Sequence, residues 1–271
     1  MALPVEVVAH RGASDVVAEH TLAAYARAVD DGADALECDV RLTADAHLVC
    51  VHDRRVDRTS NGSGPVSTLE LAELAALDFA SWHAGSSDRD APDLARLDGD
   101  DEPHSVLTLE RLIEFVVDCD RPVPLAIETK HPTRYAGLVE RRLVELLSRF
   151  GLTAAPRDGA PAPVRVMSFS LLSLRRMHQL APAVPTVFLM DRVPLRFRDG
   201  SLPPHVQIAG PAIEVVRAQP QYVARAKAAG QRVHVWTVDD EPDVDLCLDL
   251  GADAIITNRP DRVRARVAAR S

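Results

Sequence analysis

An α/β chain folded as a (β/α)8 TIM barrel, with a β-hairpin extension near residues 37–52 and a small rim insertion at about 81–107, is what this sequence predicts. Three observations predict it. Short β-branched runs alternate with Ala/Leu/Arg stretches of helical period, the pattern of a parallel sheet covered by helices. The tetrapeptide GADA occurs at 32–35 and again at 251–254, each time between a helical stretch and an apolar run. Gly32 and Gly251 suit the left-handed residue that ends a helix, so the recurrence points to repeated βα units. Several apolar runs also end in ionisable residues, as barrel strands do at their C-terminal, active-site face.

The elements follow in order. The first strand, VEVVAH (5–10), ends in His10, and a helix over 21–31 follows. The next strand, DALECDV (34–40), carries Glu37 and Asp39 two positions apart, hence on one face, with Leu36, Cys38 and Val40 on the other. The run HLVCVH (47–52) comes after only RLTADA, whereas a parallel crossover takes about a dozen residues or more. Residues 37–52 therefore read as an antiparallel hairpin turning near Thr43–Ala46. Pairing Leu42 with His47 sets Cys50 opposite Asp39 and His52 opposite Glu37, which places His52 on the carboxylate face. With this returning strand set aside, eight strands remain: 5–10, 34–40, 123–130, 164–170, 185–190, 206–210, 232–238 and 253–258. Helices are expected over 68–77, 108–118, 135–149, 171–180, 219–229 and 241–250, with the basic RVRARVAARS as a solvated last helix. Residues 81–107 are rich in Asp, Gly, Ser and Pro and exceed an ordinary βα loop; they read as a surface loop, with a lid as the alternative. Residues 153–163 read as a linker, and 1–271 as one domain.

Bulk properties narrow the function classes. A net charge of −9 argues against a nucleic-acid or anionic-membrane surface, so an anionic substrate needs a local positive centre. Cys38, Cys50, Cys119 and Cys247 form no CxxC pair, which suits reduced thiols in a reducing compartment. No apolar run approaches the ~20 residues of a membrane span, and MALPVEVVAH lacks a signal peptide's basic start. The expected location is the cytoplasm.

The carboxylate pair needs a partner. Two buried like charges are costly unless a cation or a proton joins them. Glu128 and Lys130 in AIETK repeat the two-residue spacing and also share a face. Singly, each group has a plain structural explanation: a hydrogen-bonded strand-end His10 or His52, an arginine-paired Glu37 or Asp39, a buried Glu128–Lys130 pair. Together, the three carboxylates make an oxygen-ligand site for one hard divalent cation, Mg2+ or Ca2+. His10 and His52 beside it can serve as general acid and base, and Arg11 and Lys130 supply charge for a phosphate oxygen. That combination specifies phosphoryl transfer more than carbonyl chemistry.

The motifs AHRGAS (9–14), AEHTLAAYARAVDDGADALECDVRLTADAHLVCVHD (18–53), DRTSNGSGPVSTLELAELAALD (57–78), TLERLIEF (108–115), LAIETK (125–130), MSFS (167–170), VHVWTVDD (233–240) and GADAIITNRPD (251–261) occur in an order that resembles the glycerophosphodiester phosphodiesterase family. The resemblance covers most of the chain. It implies a barrel whose divalent ion is held by Glu37, Asp39 and Glu128, with His10 and His52 as the acid–base pair and Arg11 and Lys130 on the phosphate. The implied reaction is metal-dependent hydrolysis of small glycerophosphodiesters to sn-glycerol 3-phosphate and an alcohol, by attack of water or first of the glycerol 2-hydroxyl. Two departures stand out. AEHT replaces the family's usual Pro-Glu-Asn-Thr, keeping Glu19 but putting Ala18 for Pro and His20 for Asn, and SVLTLE lacks a Pro before Thr108. His20 either alters the site's charge or merely fills the rim position. Trp236 is either an apolar wall for the alcohol or core packing. Asn258 at a strand end and Asp53 after His52, with Glu19 and His20, are expected just behind the site's contact residues, whereas His234 is expected to be structural and His83, His104, His178 and His205 to lie outside the site.

Two rivals remain. One is a cyclising phospholipase D-like or lysophospholipase D-like barrel, against which the acidic 84–104 segment argues. The other is a catalytically silent phosphodiester-binding barrel, which has no use for both His10 and His52.

Overall fold

The computed structural model describes residues 5–83, 104–133, 137–155 and 161–270. Nine strands form one sheet: β1 (Glu6–His10), β2 (Ala35–Leu42), β3 (Leu48–Cys50), β4 (Leu125–Thr129), β5 (Val164–Ser168), β6 (Thr186–Met190), β7 (Ile208–Pro211), β8 (Arg232–Val235) and β9 (Ala254–Thr257). The order β1-β9-β8-β7-β6-β5-β4-β2 closes through parallel β1–β2 pairing, so eight parallel strands make a barrel. Helices α1 (Leu22–Asp30), α2 (Leu71–Ala75), α3 (Leu109–Val117), α4 (Leu138–Arg149), α5 (Leu171–Leu180), α6 (Ile213–Ala218), α7 (Gln221–Ala228), α8 (Glu241–Asp249) and α9 (Pro260–Arg270) lie in the connections. None is long and apolar enough to cross a membrane.

Side-chain alternation sorts the barrel into layers. Val8, Ala35, Ala126, Met167, Val187, Ile208 and Ala254 pack together in the interior. The opposite faces of the same strands, such as Leu36, Cys38, Val40 and Ile127, pack outward against the helices. Ala35 and Ala126 precede Glu37 and Glu128 by two residues, so the interior is small and apolar directly beneath the carboxylates.

The hairpin is present, and its register differs from the expected one. Leu42 pairs with Leu48, Arg41 with Val49 and Val40 with Cys50. Thr43 sets this register: its hydroxyl accepts from the His47 amide and donates to Asp45, and its own amide donates to the His47 carbonyl. Cys50 therefore lies opposite Val40, not Asp39, and β3 ends before His52. A one-residue shift would turn His52 away from the carboxylate face if the strand ran on. Because pairing stops at Cys50, the chain turns and the imidazole comes to the carboxylates from a loop. β2 reaches beyond β1, and β3 occupies the edge that β1 vacates: Glu37 O accepts from Arg11 N, while Asp39 O accepts from Val51 N.

Other differences are local. The expected helix over 219–229 is α7, preceded by the separate short α6, with Pro220 interrupting the helical run between them. The expected helix over 68–77 is a 3-10 turn, Val66–Thr68, followed by α2, whose start is fixed by reciprocal Glu70–Glu73 capping. In α9, Val263 and Val267 are buried, so this helix packs rather than only solvating. Of the rim insertion at 81–107, residues 84–103 lie outside the described residues, as do 156–160 of the 153–163 linker.

Gly12, after His10 and Arg11, has φ +87°, and an added Cβ would lie 2.6 Å from the Ala24 carbonyl carbon. α1 is held there by its Thr21 cap, so the loop cannot retreat without moving a buried helix. Gly12→Ala is expected to cost about 2 kcal/mol or more, read as a lowered urea midpoint with an unchanged slope.

Candidate active site

The barrel's C-terminal mouth gathers the charged groups. Glu37 and Asp39 are each 1% exposed on β2, and Glu128 is 7% exposed on β4. Register pairs Asp39 with Glu128, which brings carboxylates of adjacent strands side by side on the inner face. One oxygen from each of the three carboxylates lies within 4.8 Å of the others. Ligands about 2.0–2.6 Å from one hard cation are at most about 5 Å apart, so the donor set fits Mg2+ or Ca2+. Asp39 Oδ1 makes no hydrogen bond although Lys130 Nζ is 3.2 Å away, which leaves a buried oxygen open to a ligand.

Electrostatics within the triad are unequal. Burial alone would raise Asp39, yet His20, Lys130 and Arg11 hold it well below the usual carboxylate range. Arg11 Nε lies 3.1 Å and His20 Nε2 2.9 Å from Asp39 Oδ2. Burial and the Asp39 charge raise Glu37 well above its ordinary value, and the same causes push Glu128 up to about 8. Lys130 Nζ, 2.9 Å from Glu128 Oε1, counters this only in part. Burial works against the charged forms of Arg11 and Lys130, but the carboxylates raise both, so both remain cations.

The two imidazoles differ in support. His10 Nδ1 lies 2.7 Å from Asn258 Oδ1. The Asn258 amide nitrogen donates to Asp239, which fixes Oδ1 toward the ring; Nδ1 must then carry the proton and Nε2 the lone pair. Burial, then the Arg11 charge, lowers His10 to about 3, so the ring is neutral at neutral pH. His52 Nδ1 donates to Asp53 Oδ1 at 2.7 Å. Burial also lowers His52, and the charges of Asp39, Arg11 and Lys130 all act on it, which places it at the same mouth. Arg41 donates twice to the His52 carbonyl, at 3.0 and 2.7 Å, and so fixes the turn that presents the ring.

Glu19 and Asp53 share a clamp. Arg58 donates to both Glu19 oxygens, at 2.8 and 2.9 Å, and to Asp53 at 2.7 Å. Glu19 also accepts from Arg11 at 3.1 Å. Burial would raise Glu19, but Arg58 and Arg11 draw it down to about 2. His20 is buried, its φ of 60° left-handed, with Nδ1 2.8 Å from the Tyr25 hydroxyl. It therefore touches Asp39 directly rather than only filling a rim position. Trp236 packs partly buried against the core, its Nε1 donates to Gly210 O at 2.7 Å, and its ring meets the exposed Phe169 edge-on at 5.4 Å. His234 is fully buried inside the barrel, away from the cluster, where burial and Arg165 lower it well below its ordinary value.

Arg58, Asp239, Tyr25 and Ser14 had no predicted role. Asp239 binds both the backbone and the side chain of Asn258, and Ser14 donates to Asn258 Oδ1 at 2.8 Å. Strand-end position could have marked Asp239. Nothing local marks Arg58, whose partners lie 39 and 5 residues away. Arg58→Ala is expected to lower turnover about tenfold or more by freeing Glu19 and Asp53, with the loss greater than for Arg55→Ala; steady-state kinetics on both variants checks it.

A parallel barrel whose ionisable side chains meet at the strands' C-terminal ends has the layout of a barrel enzyme, and three carboxylates, two imidazoles and two cations are a set suited to phosphodiester chemistry. The model of the glycerophosphoryl diester phosphodiesterase family matches residues 10–262. "Probable glycerophosphodiester phosphodiesterase 1" of Mycobacterium tuberculosis is 46% identical over 261 residues, covering 96% of this chain and 91% of that protein. A glycerophosphodiester phosphodiesterase of Bacillus subtilis is 32% identical, covering 94% and 83%. Among solved structures, an Oleispira antarctica phosphodiesterase in complex with the product sn-glycerol 3-phosphate superposes with a TM-score of 0.78 at 24% identity, over 98% of this chain and 97% of that one. The chain belongs to the glycerophosphoryl diester phosphodiesterase family and is an enzyme of that class.

Proposed function

We propose that this enzyme hydrolyses glycerophosphodiesters to sn-glycerol 3-phosphate and an alcohol, using one divalent cation, Mg2+ or Ca2+, held by Glu37, Asp39 and Glu128. The observation that carries the reading is the meeting of these three buried carboxylates at one mouth with His10 and His52. The product bound in the Oleispira antarctica phosphodiesterase supports the choice of substrate. Glu37, Asp39 and Glu128 would hold the cation, and the chemistry it would supply there is polarisation of a phosphoryl oxygen and easier deprotonation of the nucleophile.

The chain's own residues do the rest. Arg11 and Lys130 bind the phosphate oxygens and offset the protein's negative field. One imidazole takes the proton of the attacking water as its oxygen bonds to phosphorus, or of the glycerol 2-hydroxyl, in which case water then opens the cyclic phosphate to glycerol 3-phosphate. The other gives a proton to the alcohol oxygen as its bond to phosphorus breaks. Fixed Nδ1 partners, Asn258 and Asp53, leave each Nε2 for this work. Trp236 and Phe169 form an apolar wall, which is the feature that favours the cyclising lysolipid rival; analysis of the products for a cyclic phosphate separates the two. Four free cysteines support a reducing, cytoplasmic setting.

Incubation with glycerophosphocholine, followed for release of glycerol 3-phosphate, tests the proposal. Release is expected with Mg2+ or Ca2+ and is expected to stop in EDTA. Undiminished release in EDTA would contradict it.

A further inference from the structure

A cavity of about 430 Å³ adjoins the site between the upper end of β2, the Val66–Thr68 turn and the loop after β4. Arg41, Arg54 and Lys130 line it, together with the hydroxyl residues Ser67 and Thr68, and no described Asp or Glu does. Arg41 follows Glu37 and Asp39 on one face of β2, and Lys130, beside Asp39 and Glu128, is the residue through which the cavity meets the carboxylates. Lys130 belongs to both spaces.

The charges here are unequally compensated. Lys130 is paired with Asp39 and Glu128. The Arg41 contacts go to the neutral His52 carbonyl. Among the described residues no carboxylate pairs with Arg41 or Arg54, although the neighbouring Arg55 and Arg58 are each ion-paired. Arg41, Arg54 and Lys130 together in one cavity of a chain with net charge −9 form a local positive centre. Guanidinium forks match the oxygens of phosphate and carboxylate groups. A cavity of this size accepts a group comparable to glycerol phosphate.

We propose that this cavity receives the alcohol half of the diester and selects alcohols that carry a negative charge, such as a second phosphodiester. The proposal rests on the hydrolase reading above. Arg54 is its specificity determinant, because it lines the cavity and, among the described residues, its side chain makes no ion pair or hydrogen bond with the histidines or the carboxylates.

Kinetics with three diesters test it: glycerophosphocholine with a cationic alcohol, glycerophosphoglycerol with a neutral one, and bis(glycerophospho)glycerol with an anionic one. The expected order of kcat/KM is anionic, neutral, cationic, with at least about tenfold between the extremes at low salt and less in high salt. Arg54→Glu is expected to erase that preference through KM for the anionic diester while leaving the choline diester unimpaired. Equal efficiency on all three, or an equal loss on all three in Arg54→Glu, overturns the assignment of the cavity alone. Turnover of none of them overturns the hydrolase reading, and the cavity's role with it.

Discussion

Glu128→Gln is expected to abolish divalent-cation binding and to lower turnover by about three orders of magnitude, while the metal-free protein becomes no less stable. Glu128 is buried beside Asp39, and both influences oppose its ionisation, pushing it from 4.5 to about 8. Its folded pKa is thus above its unfolded value, so the folded state binds more protons than the unfolded one across that window. Stability of the metal-free chain must then fall as pH rises from about 4.5 to about 8, and binding of a cation must release protons. Thermal melts in EDTA should show the wild type losing stability between about pH 4.5 and about pH 8, with a flatter profile for Glu128→Gln. Calorimetric titration of Mg2+ or Ca2+ should show affinity rising with pH over the same range. Asp39→Asn differs in sign. Its carboxylate is held low by His20, Lys130 and Arg11, so it contributes stability at neutral pH that is lost only in acid. Asp39→Asn should therefore lose both cation binding and stability, because Lys130, Arg11 and His20 lose the anion they share.

His10→Ala and His52→Ala are each expected to lower kcat by about 10² to 10⁴-fold, with cation affinity unchanged. Neither imidazole needs to touch the ion for this to hold. His10 is neutral at neutral pH, its Nδ1–H fixed on Asn258, and Nε2 is the atom lost in the variant. His52 relies on Asp53, which Arg58 keeps ionised. Asp53→Asn should therefore mimic part of the His52→Ala loss by disturbing the ring's tautomer, as removal of an orienting carboxylate does in other acid–base pairs. Calorimetry with the cation alone, beside steady-state kinetics, checks the separation of binding from chemistry. Loss of cation binding in His10→Ala or His52→Ala would mean that the imidazole is a ligand instead.

Period-two alternation made the carboxylate face legible, because Glu37, Asp39 and Glu128 interrupt otherwise apolar strands. The same alternation placed Leu36 and Cys38 on the opposite side, where they pack against helices. The hairpin was legible as a hairpin, since a six-residue link cannot carry a parallel crossover. Its register was not. Thr43 caps the turn with its side chain and Ala46 takes a left-handed φ of 66°, with no Asn-Gly or Asp-Gly signal to mark either. α6 escaped notice because six residues before Gln219–Pro220 are too short to show a helical period. Arg58 and the cavity around Arg41 and Arg54 depend on tertiary approach between the hairpin and the loops after it, which spacing alone does not encode. His20 shows the opposite case: its position in a motif drew attention, and only its contacts with Asp39 and Tyr25 give that position a chemical meaning.

Anomalous diffraction from crystals soaked in Mn2+, a stand-in for Mg2+ with a usable signal, tests the account most directly. The expected result is one strong peak at about 2.0–2.4 Å from an oxygen of each of Glu37, Asp39 and Glu128. A peak bound by other side chains, or none at this mouth in a protein that still cleaves glycerophosphocholine, would contradict it.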